Sequence, residues 1–347
     1  MSPYISSIIF ISLFTGTTLT LLSSHWLTAW MGLEINTLAI IPMMTYPNHP
    51  RATESAIKYF LTQATASMTI MFAIIHNAWA TNQWDLLQMT NPLASTLMTL
   101  ALAIKLGLAP FHFWVPEVIQ GIPLLSGMIL LTWQKVAPMS LLYQMSPSLN
   151  MKILTVLAIT STLLGGWGGL NQTHLRKILA YSSITHMGWM TIIALTNPAL
   201  ILINLIIYIA ITLTLFITLN FSSVTKIKSI TNMWNKSTPM TIIIFLTLLS
   251  LSGLPPFTGF APKWLVLQEL IINNNIITAT LMAFSTLLNL FFYMRIIYTT
   301  TLTMFPTSNN SKLQWFHPQT KTTNIIPTFT IISSLLLPLT PMFIIFN

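Results

Sequence analysis

The stretch PYISSIIFISLFTGTTLTLLS, residues 3–23, decides the fold class of this chain. It is mainly apolar, carries no charge, and reaches the length of about 20 residues that an α-helix needs to cross roughly 30 Å of hydrocarbon. Residues 324–346 form a second run of this kind. Because lipid offers backbone N–H and C=O groups no partners, such runs must cross as helices. The sequence therefore predicts an all-α, polytopic membrane protein.

The composition points in the same direction. Of 347 residues, 54% are hydrophobic and 5% are charged, and the mean hydropathy is +0.74, whereas about a quarter of a soluble domain is charged. The net charge of +9 comes from basic residues scattered between apolar runs, so membrane topology explains it better than binding to nucleic acid. Because the chain has no Cys, disulfides, thiolate metal sites and iron–sulfur ligation by Cys are excluded on it.

Hydropathy, with Pro, Asn and Lys as breaks, predicts about eleven membrane spans, of which the fourth and ninth contain Pro and Gly and cannot be single straight helices. Connections after even-numbered spans hold eight Lys or Arg residues, and those after odd-numbered spans hold one, Lys152. The positive-inside rule then places the N-terminus and the even connections on the cytoplasmic or matrix side and the C-terminus opposite. The predicted spans are 3–23, 25–46, 53–79, 93–119, 123–145, 153–170, 178–196, 198–221, 239–272, 275–300 and 325–346. The eight basic residues are Arg51, Arg176, Lys177, Lys226, Lys228, Lys236, Lys312 and Lys321.

The first span has neither the basic start and cleavage site of a signal peptide nor the Arg-rich amphipathic character of a transit peptide. We therefore expect it to be retained as a helix.

Two segments of the chain repeat. GLAPFHFWVPE at residues 107–117 aligns without gaps to GLPPFTGFAPK at residues 253–263. The two segments lie five spans apart, so they cross the membrane in opposite directions, which is the plan of an inverted repeat. The sequence thus predicts a single membrane domain over residues 1–347, with a first inverted repeat over 1–145, a second over 150–300, and a loop and C-terminal helix over 301–347.

Prolines interrupt both repeated segments. Pro110 leaves the carbonyl of Leu106 without its helical donor, and Pro255 and Pro256 do the same for residues 251–252. Freed carbonyls at this depth must meet protein or water. Breaks at corresponding places of two halves indicate a site near the membrane midplane, although packing kinks would produce the same pattern.

Four charged residues fall inside the predicted spans. Glu34, Lys105 and Lys135 each lie about 14 to 18 Å from the start of a span, and Lys263 follows the second break. A charge at the centre of a spanning helix costs about 2.5 kcal/mol or more. We therefore predict that these residues belong to a proton-conducting path.

The alternatives for each lysine are snorkelling to an interface or a static ion pair with Glu34 or Glu117. Lys58 lies only a few residues into its span, so snorkelling is favoured there. His112, inside the first break, and His186, about 12 Å into the seventh span, could relay protons as neutral imidazoles or could be hydrogen-bonded core residues.

The glycine cluster at residues 165–169 lies at the end of a span and has no βαβ unit around it, so it predicts close helix packing rather than a dinucleotide site. Walker sequences, nucleophile elbows and paired helical histidines are also missing from the sequence, so nothing in it supports ATP binding, hydrolysis or a redox cofactor.

Several of these segments resemble one known family, the antiporter-like membrane subunits of respiratory NADH:ubiquinone oxidoreductase, also called complex I. The resemblance covers nearly the whole chain, and two further stretches and the ending PLTPM resemble the vertebrate mitochondrial members. The segments are LAIKLGLAPFHFWVPE (102–117), LLTWQKVAP (130–138), LRKILAYSSITHMGW (175–189), LSGLPPFTGFAPKW (251–264), SSHWLTAWMGLEINTLAIIP (23–42) and HPRATESAIKYFLTQATAS (49–67).

The resemblance implies a proton-pumping module with two inverted five-helix repeats, each containing a broken helix. In that family a Glu pairs with a Lys, a central Lys follows, and a further Lys or Glu lies on the exit side; by position these are Glu34, Lys105, Lys135 and Lys263. It also implies a chain that is shorter than its bacterial relatives and lacks three of their N-terminal helices.

The same resemblance implies that NADH, FMN, iron–sulfur clusters and ubiquinone are bound by other subunits, and that this chain holds no cofactor and performs no redox step. The implied partners are the other membrane-arm subunits and phospholipid. The implied location is the mitochondrial inner membrane, with the N-terminus in the matrix and the C-terminus in the intermembrane space. A free-standing cation/proton antiporter and a structural spacer with static ion pairs are the alternatives.

Overall fold

The computed structural model describes residues 2–46, 48–194, 196–303 and 325–340. Within these ranges the chain folds into fifteen α-helices and forms no strands. The helices are α1 (Pro3–Leu22), α2 (Trp26–Thr45), α3 (Pro50–Thr81), α4 (Pro92–Leu106), α5 (Trp114–Gly121), α6 (Leu124–Leu131), α7 (Trp133–Gln144), α8 (Met151–Gly169), α9 (Leu175–Ile193), α10 (Ala199–Ser222), α11 (Ile227–Lys236), α12 (Thr238–Ser252), α13 (Phe260–Ile272), α14 (Ile276–Leu302) and α15 (Ile325–Leu335).

Five of the helices in the described part of the chain, α1, α2, α8, α10 and α14, are long and apolar enough to cross a membrane. Helix α10 has 72% of its most apolar window buried inside the protein, against 28% for α1. It packs against α6, α9, α12 and α15, so it forms the centre of the bundle. The chain is a multi-pass membrane protein in which α1 is the least buried of these five helices.

The fourth and ninth predicted spans are each divided into two helices. Helix α4 ends at Leu106 and α5 begins seven residues beyond Gly107, while α12 ends at Ser252 and α13 begins seven beyond Gly253. Gly107 and Gly253 have φ angles of 71° and 82°, the left-handed conformation that glycine adopts without a steric cost. Each helix therefore stops at a glycine, and the prolines Pro110, Pro255 and Pro256 lie in the connections that follow.

The fifth predicted span also divides, which the sequence did not lead us to expect. Helix α6 ends at Leu131, and α7 begins at Trp133. Thr132, which lies between them, has φ −104° and ψ −71°, away from the values of an α-helix. Pro138 lies inside α7, which continues through it.

The sequence predicts a basic connection over residues 226–236, whereas the structure has helix α11 there. Ile230 and Met233 are buried, and the ring of Trp234 stacks on Phe245 of α12 with 5.9 Å between the ring centroids. Hydropathy windows about 19 residues wide do not detect a short amphipathic helix whose polar face carries lysine.

The glycines at the end of α8 allow neighbouring helices to approach closely. A Cβ atom on Gly165 would lie 2.5 Å from Thr185 Cγ2 of α9, and one on Gly169 would lie 2.9 Å from the ring of Phe292 in α14. Such short contacts require glycine at both positions. The close packing predicted for this cluster is confirmed.

Some predictions fall outside the described residues. These are the placement of Lys312 and Lys321 in the last connection, and the final residues of the predicted C-terminal span, 341–346.

Candidate functional site

The first helix break presents backbone carbonyls to two side chains. Lys135 Nζ donates a hydrogen bond to the carbonyl of Leu106, the last residue of α4. Trp114 Nε1 donates to the carbonyl of Ile104 in the same turn at 3.2 Å. Lys135 Nζ also lies 5.5 Å from the centroid of the Trp114 ring. A helix C-terminus and an aromatic face both stabilise a cation, so the break forms a binding place for the buried ammonium.

Lys105 and Lys135 line one small cavity between the helices. Its volume is about 20 Å³, which is enough for about one water molecule. Lys105 is 4% exposed and Lys135 is 2% exposed. In the part of the chain that the structure describes, Lys105 Nζ has no hydrogen-bond partner. The two amines therefore face a space in which a single water could carry a proton between them. The cavity is also lined by Leu33, Asn36, Thr37, Tyr59, Gln63, Trp114, Leu130, Gln134 and Pro138.

Glu34 lies beside this cavity on α2 and is half-buried. Its carboxylate interacts electrostatically with Lys105 and Tyr59. It is not in a direct salt bridge with Lys105, because the only ion pairs among the described residues belong to Lys58. The Oε2 atom of Glu34 has no hydrogen-bond partner in the described chain. The structure thus places Glu34 near Lys105 at a distance longer than a contact ion pair.

The second helix break binds a lysine in the same manner. Lys263 Nζ donates to the carbonyl of Ser252 at 2.6 Å and to that of Leu251 at 3.3 Å. These two carbonyls are the ones that Pro255 and Pro256 deprive of helical donors. A Cβ atom on Gly253 would lie 2.8 Å from Cδ of the lysine, so glycine is also required for the side chain to reach the helix end.

A second small cavity surrounds Lys263. Its volume is about 20 Å³, and its lining includes Lys263, His186, Tyr208 and Asn204. The rings of His186 and Tyr208 lie 5.4 Å apart between centroids. His186 is therefore brought to the second lysine, where its ring nitrogens can exchange a proton with water.

Tyr208 connects the surroundings of the two cavities. Its hydroxyl donates to the carbonyl of Leu131 at 3.2 Å, and Leu131 ends α6, four residues before Lys135. Sequence reasoning missed Tyr208, which lies within a long apolar run. The sequence does contain a signal for it, namely a tyrosine near the middle of a predicted span. A buried hydroxyl there needs a hydrogen-bond partner, which marks the residue as more than apolar packing.

His112 occupies a different position from the one expected of a relay. It is 5% exposed and its ring packs on Phe113, with 4.3 Å between centroids. It lines neither of the two lysine cavities. The structure therefore does not bring His112 together with the buried lysines.

Lys58 forms ion pairs, although the sequence favoured snorkelling. Its ammonium lies 2.8 Å from the carboxylates of both Glu54 and Glu117. Glu117 belongs to α5 and Lys58 to α3, so the packing of these two helices brings the charges together. The side chains of Lys58, Glu54 and Glu117 are each more than two-fifths exposed. This ion-pair cluster therefore differs from the lysines that are buried in the bundle.

The site shows no arrangement suited to a metal ion. Among the described residues, no group of three or more His, Asp or Glu side chains is close enough to hold one.

Comparison with protein families gives matches over residues 23–344. Residues 23–289 match the family described as NADH:quinone oxidoreductase/Mrp antiporter, TM, and residues 290–344 match the family NADH dehydrogenase subunit 2 C-terminus.

Two solved structures share the fold. A chain of respiratory complex I from Thermus thermophilus superposes with a TM-score of 0.86 at 22% identity, over 99% of this chain and 80% of that one. A chain of the Mrp complex from Dietzia sp. gives a TM-score of 0.77 at 17% identity, over 87% of this chain and 61% of that one.

Curated relatives are much closer in sequence. NADH-ubiquinone oxidoreductase chain 2 of Osphranter robustus is 79% identical over 342 residues, which is 99% of this chain and 98% of the relative. The protein of the same name from Ovis aries is 56% identical over 342 residues, which is 99% of each chain. On these matches the chain belongs to the vertebrate NADH-ubiquinone oxidoreductase chain 2 family.

Proposed function

We propose that this chain is a membrane-arm subunit of respiratory complex I and takes part in proton translocation coupled to electron transfer from NADH to ubiquinone. The family assignment and the antiporter-like fold support membership in that assembly. Its partners are then the other membrane-arm subunits and phospholipid, and its location is the mitochondrial inner membrane.

One observation carries the proposal for proton transfer. Both Lys135 and Lys263 are buried and donate to the carbonyls that end an interrupted helix. A buried lysine held only by neutral carbonyls can be charged or neutral according to the charges around it, because no carboxylate fixes its ionisation. Static ion pairs, as in a spacer, would instead hold each lysine permanently charged.

The residues then act in sequence along the bundle. Glu34 influences the charge on Lys105, which exchanges protons with Lys135 through the water-sized cavity that they share. Tyr208 bonds to Leu131 near that region and lines the cavity of Lys263 together with His186. A change of charge at one lysine alters the proton affinity of the next, since Coulomb interactions are strong in a low-dielectric interior.

The finer architecture belongs to this proposal. Eleven spans, arranged as inverted repeats over residues 1–145 and 150–300, would place α4–α5 and α12–α13 as equivalent broken helices. The two glycine stops and the two lysine-capped helix ends support this arrangement. The N-terminus would face the matrix, and the C-terminus the intermembrane space.

The division of chemistry within the complex is also part of the proposal. NADH, FMN, iron–sulfur clusters and ubiquinone would be held by other subunits, and this chain would act as part of a translocase without a redox step of its own. The lack of Cys supports this for iron–sulfur clusters.

The decisive experiment replaces Lys135 by Met in the assembled complex. Proton translocation per electron should fall and coupled NADH oxidation should slow, while the complex still assembles. Lys152→Met, which removes an exposed lysine, is the matched control and should leave both quantities unchanged. Full oxidation and full pumping in Lys135→Met would instead favour the spacer.

A cation/proton antiporter is the second candidate, because the matching family also includes Mrp antiporters. The chain alone, reconstituted in vesicles, would then exchange cations for protons across the membrane. Transport by the isolated chain would favour the antiporter, whereas activity that requires the NADH-oxidising assembly favours the complex I subunit.

A further inference from the structure

An open cavity of about 370 Å³ lies at one end of the bundle, away from the buried lysines. It is formed by the connections that lead into α3, α6, α9 and α11. Helices α2, α8 and α10, which are long and apolar enough to cross a membrane, each end a few residues before it. The cavity is therefore at the level where the hydrocarbon ends. Its lining residues are His49, Arg51, Ala52, Gln120, Gly121, Ile122, Pro123, His174, Arg176, Thr225 and Lys226.

The lining carries an excess of positive charge. Arg51, Arg176 and Lys226 contribute basic groups, and no carboxylate is among the described residues that line the cavity. None of these three forms an ion pair within the described chain. The nearby carboxylates Glu54 and Glu117 form contact ion pairs with Lys58, and Glu54 also interacts electrostatically with Arg51.

Arg176 has a structural task at the rim of the cavity. It donates to the carbonyl of Ile122 at 2.6 Å and to that of Gln120 at 3.2 Å, and so it fixes the connection between α5 and α6. Arg51 and Lys226 are exposed and make no such bonds within the described chain. These two side chains are free to reach a bound anion.

Helix starts add to the positive potential. His49, His174 and Lys226 are the N-cap residues of α3, α9 and α11. The starts of α9 and α11 are fixed side by side, because Leu175 N donates to Thr225 O at 3.1 Å and Ile227 N donates to Thr173 O at 3.2 Å. Each helix N-terminus carries partial positive charge and attracts anions.

The same positive charges also act on the pKa of His174. Burial, followed by the positive charges of Lys226 and Lys177, lowers the pKa of His174 below its usual value. The charges that lower it are cationic, so this end of the bundle has a positive potential that an anion would neutralise.

We propose that this cavity binds the phosphate of an anionic phospholipid headgroup. Basic groups and helix N-termini supply the phosphate contacts, and Pro123 lies beside them in the lining. A basic pocket that opens where spanning helices end suits a lipid more than a free anion, because the acyl chains remain in the bilayer. The proposal does not depend on proton transfer by this chain.

The test labels the cavity in the assembled complex. Delipidated complex is incubated with a photoactivatable phosphatidylglycerol, irradiated, and the labelled peptides of this chain are identified by mass spectrometry. Label should appear on peptides that cover residues 48–55, 120–123, 173–177 and 224–228. Arg51→Gln with Lys226→Gln should weaken labelling about 30-fold at limiting lipid, from about fivefold for each lost basic group.

A double variant that removes the same charge elsewhere, Lys152→Gln with Lys228→Gln, is the matched control and should label as the wild type does. Lys226→Arg should retain labelling. If the cavity double variant fails to assemble, the two single substitutions decide the question.

Equal labelling of the cavity variant and its control would overturn the proposal, as would absence of label from these peptides in the wild type. Competition experiments show whether the bound phosphate belongs to a lipid or is a free anion. Unlabelled phosphatidylglycerol should displace the probe, and inorganic phosphate at the same concentration should not. Equal competition by inorganic phosphate would show a free-anion site and overturn the assignment to lipid.

Discussion

Lys263 Nζ donates a hydrogen bond of 2.6 Å to the carbonyl of Ser252, the last residue of α12. Lys135 makes the corresponding bond to Leu106, the last residue of α4. In both places a helix stops at a glycine, and the carbonyls that lack helical donors receive an ammonium from another helix or from beyond the break. The breaks therefore create the polar surroundings in which lysine can remain buried.

The first prediction concerns Gly253. Gly253→Ala should destabilise the protein by about 1–2 kcal/mol, the cost of the left-handed conformation for a residue with a Cβ. The φ of 82° and the 2.8 Å approach to the Lys263 side chain are the causes. The measurement is the midpoint of thermal inactivation of the assembled complex, which should fall.

Gly127→Ala is the control for that substitution. Gly127 lies inside α6, and a Cβ there would meet its nearest atom at 3.7 Å, an ordinary contact. The midpoint should be unchanged or rise, because alanine favours a helix interior. Equal effects of the two substitutions would contradict the importance of the glycine stop.

The second prediction contrasts Lys105→Met with Lys135→Met. Lys105 Nζ is buried without a partner in the described chain, so its removal should leave stability unchanged or raise it. Lys135→Met should cost about 1–3 kcal/mol, because the carbonyl of Leu106 loses its donor.

Coupled turnover should fall in both variants. Thermal inactivation and NADH-driven proton uptake, measured on the same preparations, separate the two effects. A loss of turnover in Lys105→Met that followed only from a loss of stability would show a structural role for this lysine.

The third prediction concerns the link through Tyr208. Tyr208→Phe removes the hydrogen bond to the carbonyl of Leu131 and should cost about 1 kcal/mol. If the phenol also assists proton transfer, the number of protons moved per electron should fall beyond what this small loss of stability explains.

Tyr298→Phe is the control for that substitution, since Tyr298 is 64% exposed. It should leave both the thermal midpoint and the proton ratio unchanged. An unchanged proton ratio in Tyr208→Phe would remove this residue from the path.

The fourth prediction tests whether the lysines lie on one path. Lys263→Met should lower the proton ratio, and the double variant Lys135→Met with Lys263→Met should be no worse than the more impaired single variant. Groups that act in series give effects that do not add. Multiplicative losses in turnover would instead indicate independent sites.

Much of this fold follows from local sequence. Apolar runs such as that of α1 and α10 predict helices within a few residues of the observed ends, because hydropathy and length are properties of a single segment. Proline and glycine likewise predict the interruptions between α4 and α5 and between α12 and α13. The short helix α11 was missed, because it depends on side-chain contacts rather than on average hydropathy.

The candidate site divides in the same way. That Lys105, Lys135 and Lys263 lie among apolar residues can be read from local sequence, since a charge inside an apolar run is visible in one segment. Their partners depend on the packing of distant helices: Lys135 reaches a carbonyl 29 residues earlier, and Tyr208 one 77 residues earlier. Such contacts depend on how helices pack against one another, and packing at close range is set by the shapes of many side chains together. The same reason explains why Lys58 pairs with Glu117 and why His112 does not join the lysines.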